Sequence, residues 1–162
     1  MIVVADTSPI CYLLLIGEID LLPRLYGQVT IPHVVYEELA APKSPPIIRN
    51  WIQQHPAWLE VQDVDCHKTG DFNDRDLDAL DPGEIAAILL AEQSTTSLLI
   101  VDDLLGRQVA IARGISVTGL IGVLDAAAQQ GLVDLPKAVI RLKATSFRIS
   151  SVLVQSLLSK HN

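Results

Sequence analysis

Two short apolar runs in this chain end directly in aspartate: Val3-Val4-Ala5-Asp6 and Leu99-Ile100-Val101-Asp102. Each reads as a buried strand, and helical stretches follow both. Alternation of such runs with helices predicts an α/β fold on a mostly parallel sheet. Open sheets of that kind bind their ligands beyond the carboxyl ends of the strands, where the strand order reverses. A strand that ends in Asp therefore delivers a carboxylate to the rim where chemistry is expected.

The rest of the chain fits this frame. Ile2 to Ala5 is the first strand, and Ser8 and Pro9 are expected as N-cap and first residue of a helix that stops at Gly17. A second helix is expected from about Ile19 to Tyr26. Strand Val29-Thr30-Ile31 precedes a helix opened by Pro32 and carrying Val34, Val35 and Glu38. After Pro42, Pro45 and Pro46, Ile47 to Gln54 reads as helix and Leu59 to Val64 as strand. Asp65 to Asp78 is acidic and is expected as a loop near the site. Asp81-Pro82-Gly83-Glu84 opens a helix over Ile85 to Gln93, and Leu98 to Val101 is the clearest buried strand. A helix to Arg113 stops at Gly114, and strand Ile115-Ser116-Val117 leads into a helix from Leu120 to Gln130, closed by Gly131. Two amphipathic helices fill the remainder from Pro136. With 162 residues and no repeat, low-complexity tract or linker, residues 1–162 are expected to form one domain.

Composition narrows the function classes. Apolar residues make up 49% of the chain and charged ones 19%, which suits a protein with a large interior rather than a disordered one. Cys11 and Cys66 form no Cys-x-x-Cys pair, and His33, His55, His67 and His161 lack ligand spacing, so neither a disulfide framework nor zinc is expected. That points to a reduced, cytoplasmic setting. No basic leader or bilayer-length apolar run is visible, so no membrane role is expected. The net charge of −7 runs against a broad basic face for nucleic acid, yet suits carboxylates gathered to hold cations.

Four acids stand out, and each has two readings. Asp6 could cap its helix, although Ser8 is better placed. Glu84, three residues after Asp81, could complete a capping box. Asp102 and Asp103 could simply complement a helix dipole. Glu38 shares the inward face of Val34 and Val35, where an unpartnered carboxylate is costly, while Glu37 points elsewhere. As a set, carboxylates brought to one rim repel unless a cation lies between them. Oxygen ligands without His or Cys favour Mg²⁺ or Mn²⁺. Position 8 is Ser, where haloacid-dehalogenase-type phosphatases need a second Asp, and the Asp-Asp pair follows a late strand, unlike a receiver domain. Phosphate-binding glycine loops and a Gly-x-Ser-x-Gly elbow are missing.

These residues resemble the PIN-domain family over nearly the whole chain. The matching elements are Asp6-Thr7-Ser8-Pro9, Pro32-x-x-Val35-x-x-Glu38, Gly83-Glu84-x-x-Ala87, Asp102-Asp103-x-x-Gly106-Arg107-x-x-Ala110 and a late Gly-x-Leu within Gly119-Leu120-Ile121-Gly122-Val123-Leu124. They look closest to a poorly characterised prokaryotic branch. The resemblance implies a three-layer α/β/α sandwich and Mg²⁺- or Mn²⁺-dependent cleavage of RNA. Asp6, Glu38, Glu84 and Asp102 would be the catalytic, metal-binding acids, with Asp103 beside them. In a mechanism built on those acids, Thr7 or Ser8 could orient a phosphate oxygen or a bound water, and Arg107, about one helical turn after Asp103, could reach the phosphate or be a solvated surface residue. The resemblance further suggests the toxin of a toxin–antitoxin pair, with a small antitoxin partner and a homodimer. Glu84 stands where such toxins more often carry Asp, and Val101-Asp102-Asp103 replaces their usual Thr-x-Asn/Asp. Two rival readings are a PIN-like partner-binding subunit without cleavage, using the apolar helices at Leu13–Leu25 and Val152–Leu158, and a phosphatase for small phosphoesters.

Overall fold

The structure is a computed structural model that describes residues 1–64 and 72–161, the side chains of residues 72–74 excepted. Most of the expected acidic loop, with Cys66 and His67, lies outside the described residues. Its end, Phe72–Leu77, is a 3₁₀ turn.

Five strands form one all-parallel sheet: β1 (Ile2–Ala5), β2 (Val29–Pro32), β3 (Leu59–Gln62), β4 (Ser97–Ile100) and β5 (Ser116–Thr118). Their order is β3-β2-β1-β4-β5, so the chain moves outward one way from β1 and then returns to build the other way. The reversal falls between β1 and β4. Pairing of Ala5 with Ile100 places Asp6 beside Val101 and one residue short of level with Asp102. Register alone therefore brings both strand-end aspartates to the reversal point.

The helices among the described residues are α1 (Thr7–Leu15), α2 (Leu21–Tyr26), α3 (His33–Ala40), α4 (Pro46–Gln53), α5 (Pro82–Glu92), α6 (Leu104–Ala112), α7 (Leu120–Gln129), α8 (Leu135–Lys143) and α9 (Ser151–Lys160). Strand side chains alternate between two cores. Val3, Ala5, Ile31 and Ile100 pack under residues of α1 to α4 and α7 to α9. Val4, Leu99 and Val101 pack under residues of α5 and α6. With helices on both faces the central strands must be apolar throughout, which is why they appear as continuous runs. The result is the three-layer α/β/α sandwich.

Several boundaries differ from expectation. Ser8 is not the N-cap of α1: Asp6 keeps extended backbone, the helix begins at Thr7, and Pro9 is its third residue. Proline is tolerated there because N–H groups in a first helical turn have no partner inside the helix. Pro32 ends β2 with extended backbone and precedes α3 instead of joining it. The third strand stops at Gln62, and β4 stops at Ile100, with Val101 bonded onward to Thr118. The expected stops Gly17, Gly114 and Gly131 carry the positive φ that ends a helix. Leu13, Leu14, Leu21 and Leu22 are core, whereas Leu15, Val152 and Leu153 are exposed. Among the described residues, no helix is long and apolar enough to cross a membrane.

Candidate functional site

A cleft of about 600 Å³ opens at the carboxyl edge of the sheet, over the reversal point. Asp6, Ser8, Asp81, Glu84, Asp102, Asp103 and Arg107 line it. Three separate strand ends and helix starts supply these residues, and the topology is what gathers them.

Asp6 occupies the N-cap position of α1 but makes no side-chain capping bond. Asp81, Asp103, Asp134 and Ser150, at the equivalent position of α5, α6, α8 and α9, all do. Its backbone is held by the bond from its N–H to the Ile100 carbonyl, at 3.0 Å. Only 6% of the residue is exposed. Burial, opposed by hydrogen bonding from the Thr7 backbone and reinforced by the charges of Asp81, Glu38 and Asp102, lifts its pKa to about 7. Capping does not account for Asp6.

Glu84 does form the capping box the spacing suggested. Its N–H donates to Asp81 Oδ1 at 2.8 Å, and its Oε1 accepts from the Asp81 N–H at 3.3 Å. The box uses one oxygen, however, and Glu84 is only 7% exposed. Its Oε2 is buried with no partner. Burial first, then hydrogen bonding with the Asp81 carboxyl, drives its pKa up to about 8, with Asp103 adding to the rise. Structural and functional readings are therefore compatible, one oxygen each.

Asp102 repeats this division. Its Oδ1 accepts from the Leu120 N–H at the start of α7, at 2.8 Å, while Oδ2 is buried and unpartnered. Burial raises its pKa, against the Leu120 bond and the nearby positive charge of Arg107. Asp103 is exposed and caps α6 through Oδ2, which accepts from the Gly106 N–H at 2.9 Å. Of the Asp-Asp pair, Asp102 thus keeps the buried, unused oxygen.

Glu38 is half-buried on α3, as its place beside Val35 foretold, while Glu37 is exposed and pairs with His33. The Thr7 hydroxyl donates to Glu38 Oε2, tying α3 to the start of α1. Thr7 thereby serves Glu38 instead of facing the cleft, whereas Ser8 lines it. Cys11 lies behind these groups, and burial together with Asp6 and Glu38 pushes its thiol up to about 11, which keeps it protonated and inert.

The motif glycines make room for these acids. A Cβ on Gly83 would lie 2.7 and 2.8 Å from the Glu38 oxygens, and one on Gly106 would lie 2.8 Å from Glu84 Oε2. At Gly119 it would meet Asp102 Oδ1 and Arg107 Nη1, both at 2.7 Å. The longer side chain at position 84 is accommodated because residue 106 has none. Two contributors were not singled out from the sequence as site residues: Asp81, whose charge raises both Asp6 and Glu84, and the segment Ser146 to Ile149, which walls the far side. Asp81 was visible only as a cap, and the wall carries no motif.

A family model described as a PIN domain matches residues 2–162. The chain belongs to the PIN-domain family. Its nuclease-type fold is thereby established, and PIN domains are generally nucleases that use divalent metal ions. No curated protein and no solved structure matches the chain significantly. Among the described residues, no three His, Cys, Asp or Glu side chains are already drawn around one point. Asp6, Glu84 and Asp102 line the cleft, Glu84 and Asp102 each with one buried oxygen left unpaired, whereas Glu38 is not among the lining residues and is bonded to Thr7. Unpaired oxygens of ionisable carboxyls, in an all-oxygen donor set, fit a hard divalent cation.

Proposed function

We propose that residues 1–162 act as one PIN domain that hydrolyses phosphodiester bonds of RNA with the aid of Mg²⁺ or Mn²⁺. The observation that carries this reading is the pair of buried, unpartnered oxygens, Glu84 Oε2 and Asp102 Oδ2, on the same cleft as the buried Asp6. Leaving a buried acceptor unmade costs about 1–3 kcal/mol, and more for a charged group. A site that keeps two beside a third buried acid is arranged for something positive.

On this reading Asp6, Glu84 and Asp102 hold the cation, with Glu38 and Asp103 nearby. When bound, such a cation polarises a phosphoryl oxygen and lowers the pKa of a water ligand. The chain's own part is positioning. The Leu120 N–H and the Asp81 N–H each fix one oxygen of Asp102 and Glu84, which aims the other. Thr7 holds Glu38 at the rim. Arg107, half-buried beside Asp102, offers a guanidinium to the phosphate, and Ser8 offers a hydroxyl.

The reading extends to the toxin half of a toxin–antitoxin pair, acting as a homodimer in the cytoplasm. Co-expression with the product of an adjacent small open reading frame tests that extension, and a silenced nuclease is the expected result. The core test is cleavage of single-stranded and hairpin RNAs in Mn²⁺ or Mg²⁺. Wild type is expected to cut, and EDTA or Glu84→Gln to abolish cutting. Equal cutting by Glu84→Gln would mean a contaminating nuclease or another site. Turnover of small phosphoesters without RNA cleavage would move the protein to the phosphatase class.

A further inference from the structure

The cleft has two unlike halves. Opposite the acids its wall is built from Tyr12 on α1 and from Phe147, Arg148 and Ile149, just before α9, with Leu153 on α9 itself. Cations alone need no such wall. A volume of about 600 Å³ falls within the range of small-ligand sites, roughly 300–1,000 Å³, and is far more than an ion fills.

The two rings are fixed. Tyr12 and Phe147 meet edge to face with centroids 5.0 Å apart and planes at 74°, and Tyr12 Oη lies 2.9 Å from Ser146 Oγ. Both are half-buried, so each keeps solvent-facing surface. An edge-to-face pair also leaves at least one ring face uncovered by its partner. Tyr12 follows Asp6 by six residues on the same helix, about 9 Å of rise. One rigid element therefore carries both an acid of the site and an aromatic of the wall.

Charge decides how a polyanion can be held here. With a net charge of −7 and an acid-rich rim, the chain has little to attract a phosphate backbone over a broad area. Arg107 and Arg148 are the cations on the cleft, one on each side. Affinity must then come largely from the bases. Stacking of bases on aromatic rings contributes about 1–3 kcal/mol per base and needs the base unpaired.

We propose that Tyr12, Phe147 and Arg148 form a nucleotide subsite that stacks an unpaired base and holds its phosphate beside the acidic rim. The substrate it selects is a single strand or a loop. The choice of nucleic acid rests on the hydrolase reading, but the test does not depend on cleavage.

The experiment titrates a short fluorescent oligoribonucleotide, and the same strand with its central bases removed, in Ca²⁺, which shares the oxygen preference of Mg²⁺. Wild type is expected to bind the intact strand at least tenfold more tightly than the abasic one. Phe147→Leu, which keeps an apolar side chain for packing, should weaken the intact strand about tenfold and leave the abasic strand unchanged. Phe147→Trp should restore the difference, and Arg148→Ala should weaken both strands alike. Equal affinity of wild type and Phe147→Leu would overturn the subsite, as would an equal loss on both strands. Wild-type self-association dispersed by Phe147→Leu would assign the wall to a protein interface and likewise overturn it. Base-dependent binding without Mn²⁺-dependent cleavage would keep the subsite and remove the hydrolase reading.

Discussion

Acids are handled in opposite ways at the two edges of this sheet. At the amino edge, where α5 and α6 end, Arg113 is bracketed by Glu92 and Asp76: its Nη2 donates to Glu92 Oε2 at 3.0 Å and its Nη1 to Asp76 Oδ1 at 2.9 Å. At the carboxyl edge Asp6, Glu84 and Asp102 line one cleft, and two of their buried oxygens, Glu84 Oε2 and Asp102 Oδ2, accept nothing. One edge ties its carboxylates to an arginine by direct hydrogen bonds, and the other keeps buried carboxyl oxygens unpaired, with the charge of Arg107 near Asp102. That contrast is what a binding rim should look like beside a structural one.

The largest expected effect comes from removing one charge at the carboxyl edge. Asp6→Asn keeps size and capping ability, since Asn caps about as well as Asp. Asp6 makes no capping bond, so near pH 4, where the folded carboxyl is protonated, stability should change by less than about 1 kcal/mol; at pH 8 the metal-free variant should be the more stable, because Asn carries no buried charge. Mn²⁺-dependent RNA cleavage should fall by orders of magnitude, measured on strands and hairpins of several sequences. Unchanged cleavage would erase the distinction between the two edges.

A second test refills space instead of removing charge. In Gly106→Ala the new Cβ would stand 2.8 Å from Glu84 Oε2 and must displace it. Cleavage is expected to drop about tenfold or more, a loss of about 1.4 kcal/mol or more in transition-state stabilisation. Glu84→Asp in the same chain shortens the acid and should recover part of the loss. A drop that Glu84→Asp deepens would show that residue 106 acts through packing of α6.

How much of this was readable beforehand follows from where information sits. Asp6 and Asp102 were legible because strand ends deliver side chains by topology, and topology follows from apolar runs. Glu84 was legible as an acid but ambiguous, because a capping box and a ligand need the same residue at the same place; only separate accounting of its two oxygens divides the roles. The glycines at 83, 106 and 119 were visible as motif letters, but their purpose depends on contacts between remote elements. Tyr12 and Phe147, 135 positions apart, carry no joint signal along the chain. The misplaced start of α1 has a local cause, since a Pro three residues into a helix is as acceptable as one at its first position.

Smaller in size, but sharp in sign, is the pH dependence of stability. Asp6 and Glu84 titrate near 7 and 8 when folded, against about 3.9 and 4.3 for unfolded side chains. Between those values the native state binds more protons than the unfolded one, so the metal-free protein should lose stability as pH rises from about 4 to 8. Asp125, held low by Lys160 and His161, works the other way, but only as pH falls below about 4. Urea midpoints in EDTA should thus be higher at pH 5 than at pH 8. Saturating Mn²⁺ favours the ionised acids and should flatten or invert that slope. The same slope with and without Mn²⁺ would mean that the raised acids are not where the cation binds.

The smallest effect is expected at the amino edge. Arg113→Ala leaves Glu92 and Asp76 without their shared partner, but both carboxylates reach solvent and can be hydrated in its place. Partly exposed ion pairs contribute about 0.2–1 kcal/mol each, screened by salt. The bidentate contact with Glu92 places this pair toward the upper end. A modest fall in urea midpoint, shrinking at high salt, is therefore expected, with Mn²⁺-dependent cleavage unchanged. The buried core between the sheet and α5 and α6, which lies between the two edges, does not include Arg113. Should Arg113→Ala reduce cleavage as Asp6→Asn does, the edges would be coupled, and the amino-edge cluster would have to be counted as part of the site.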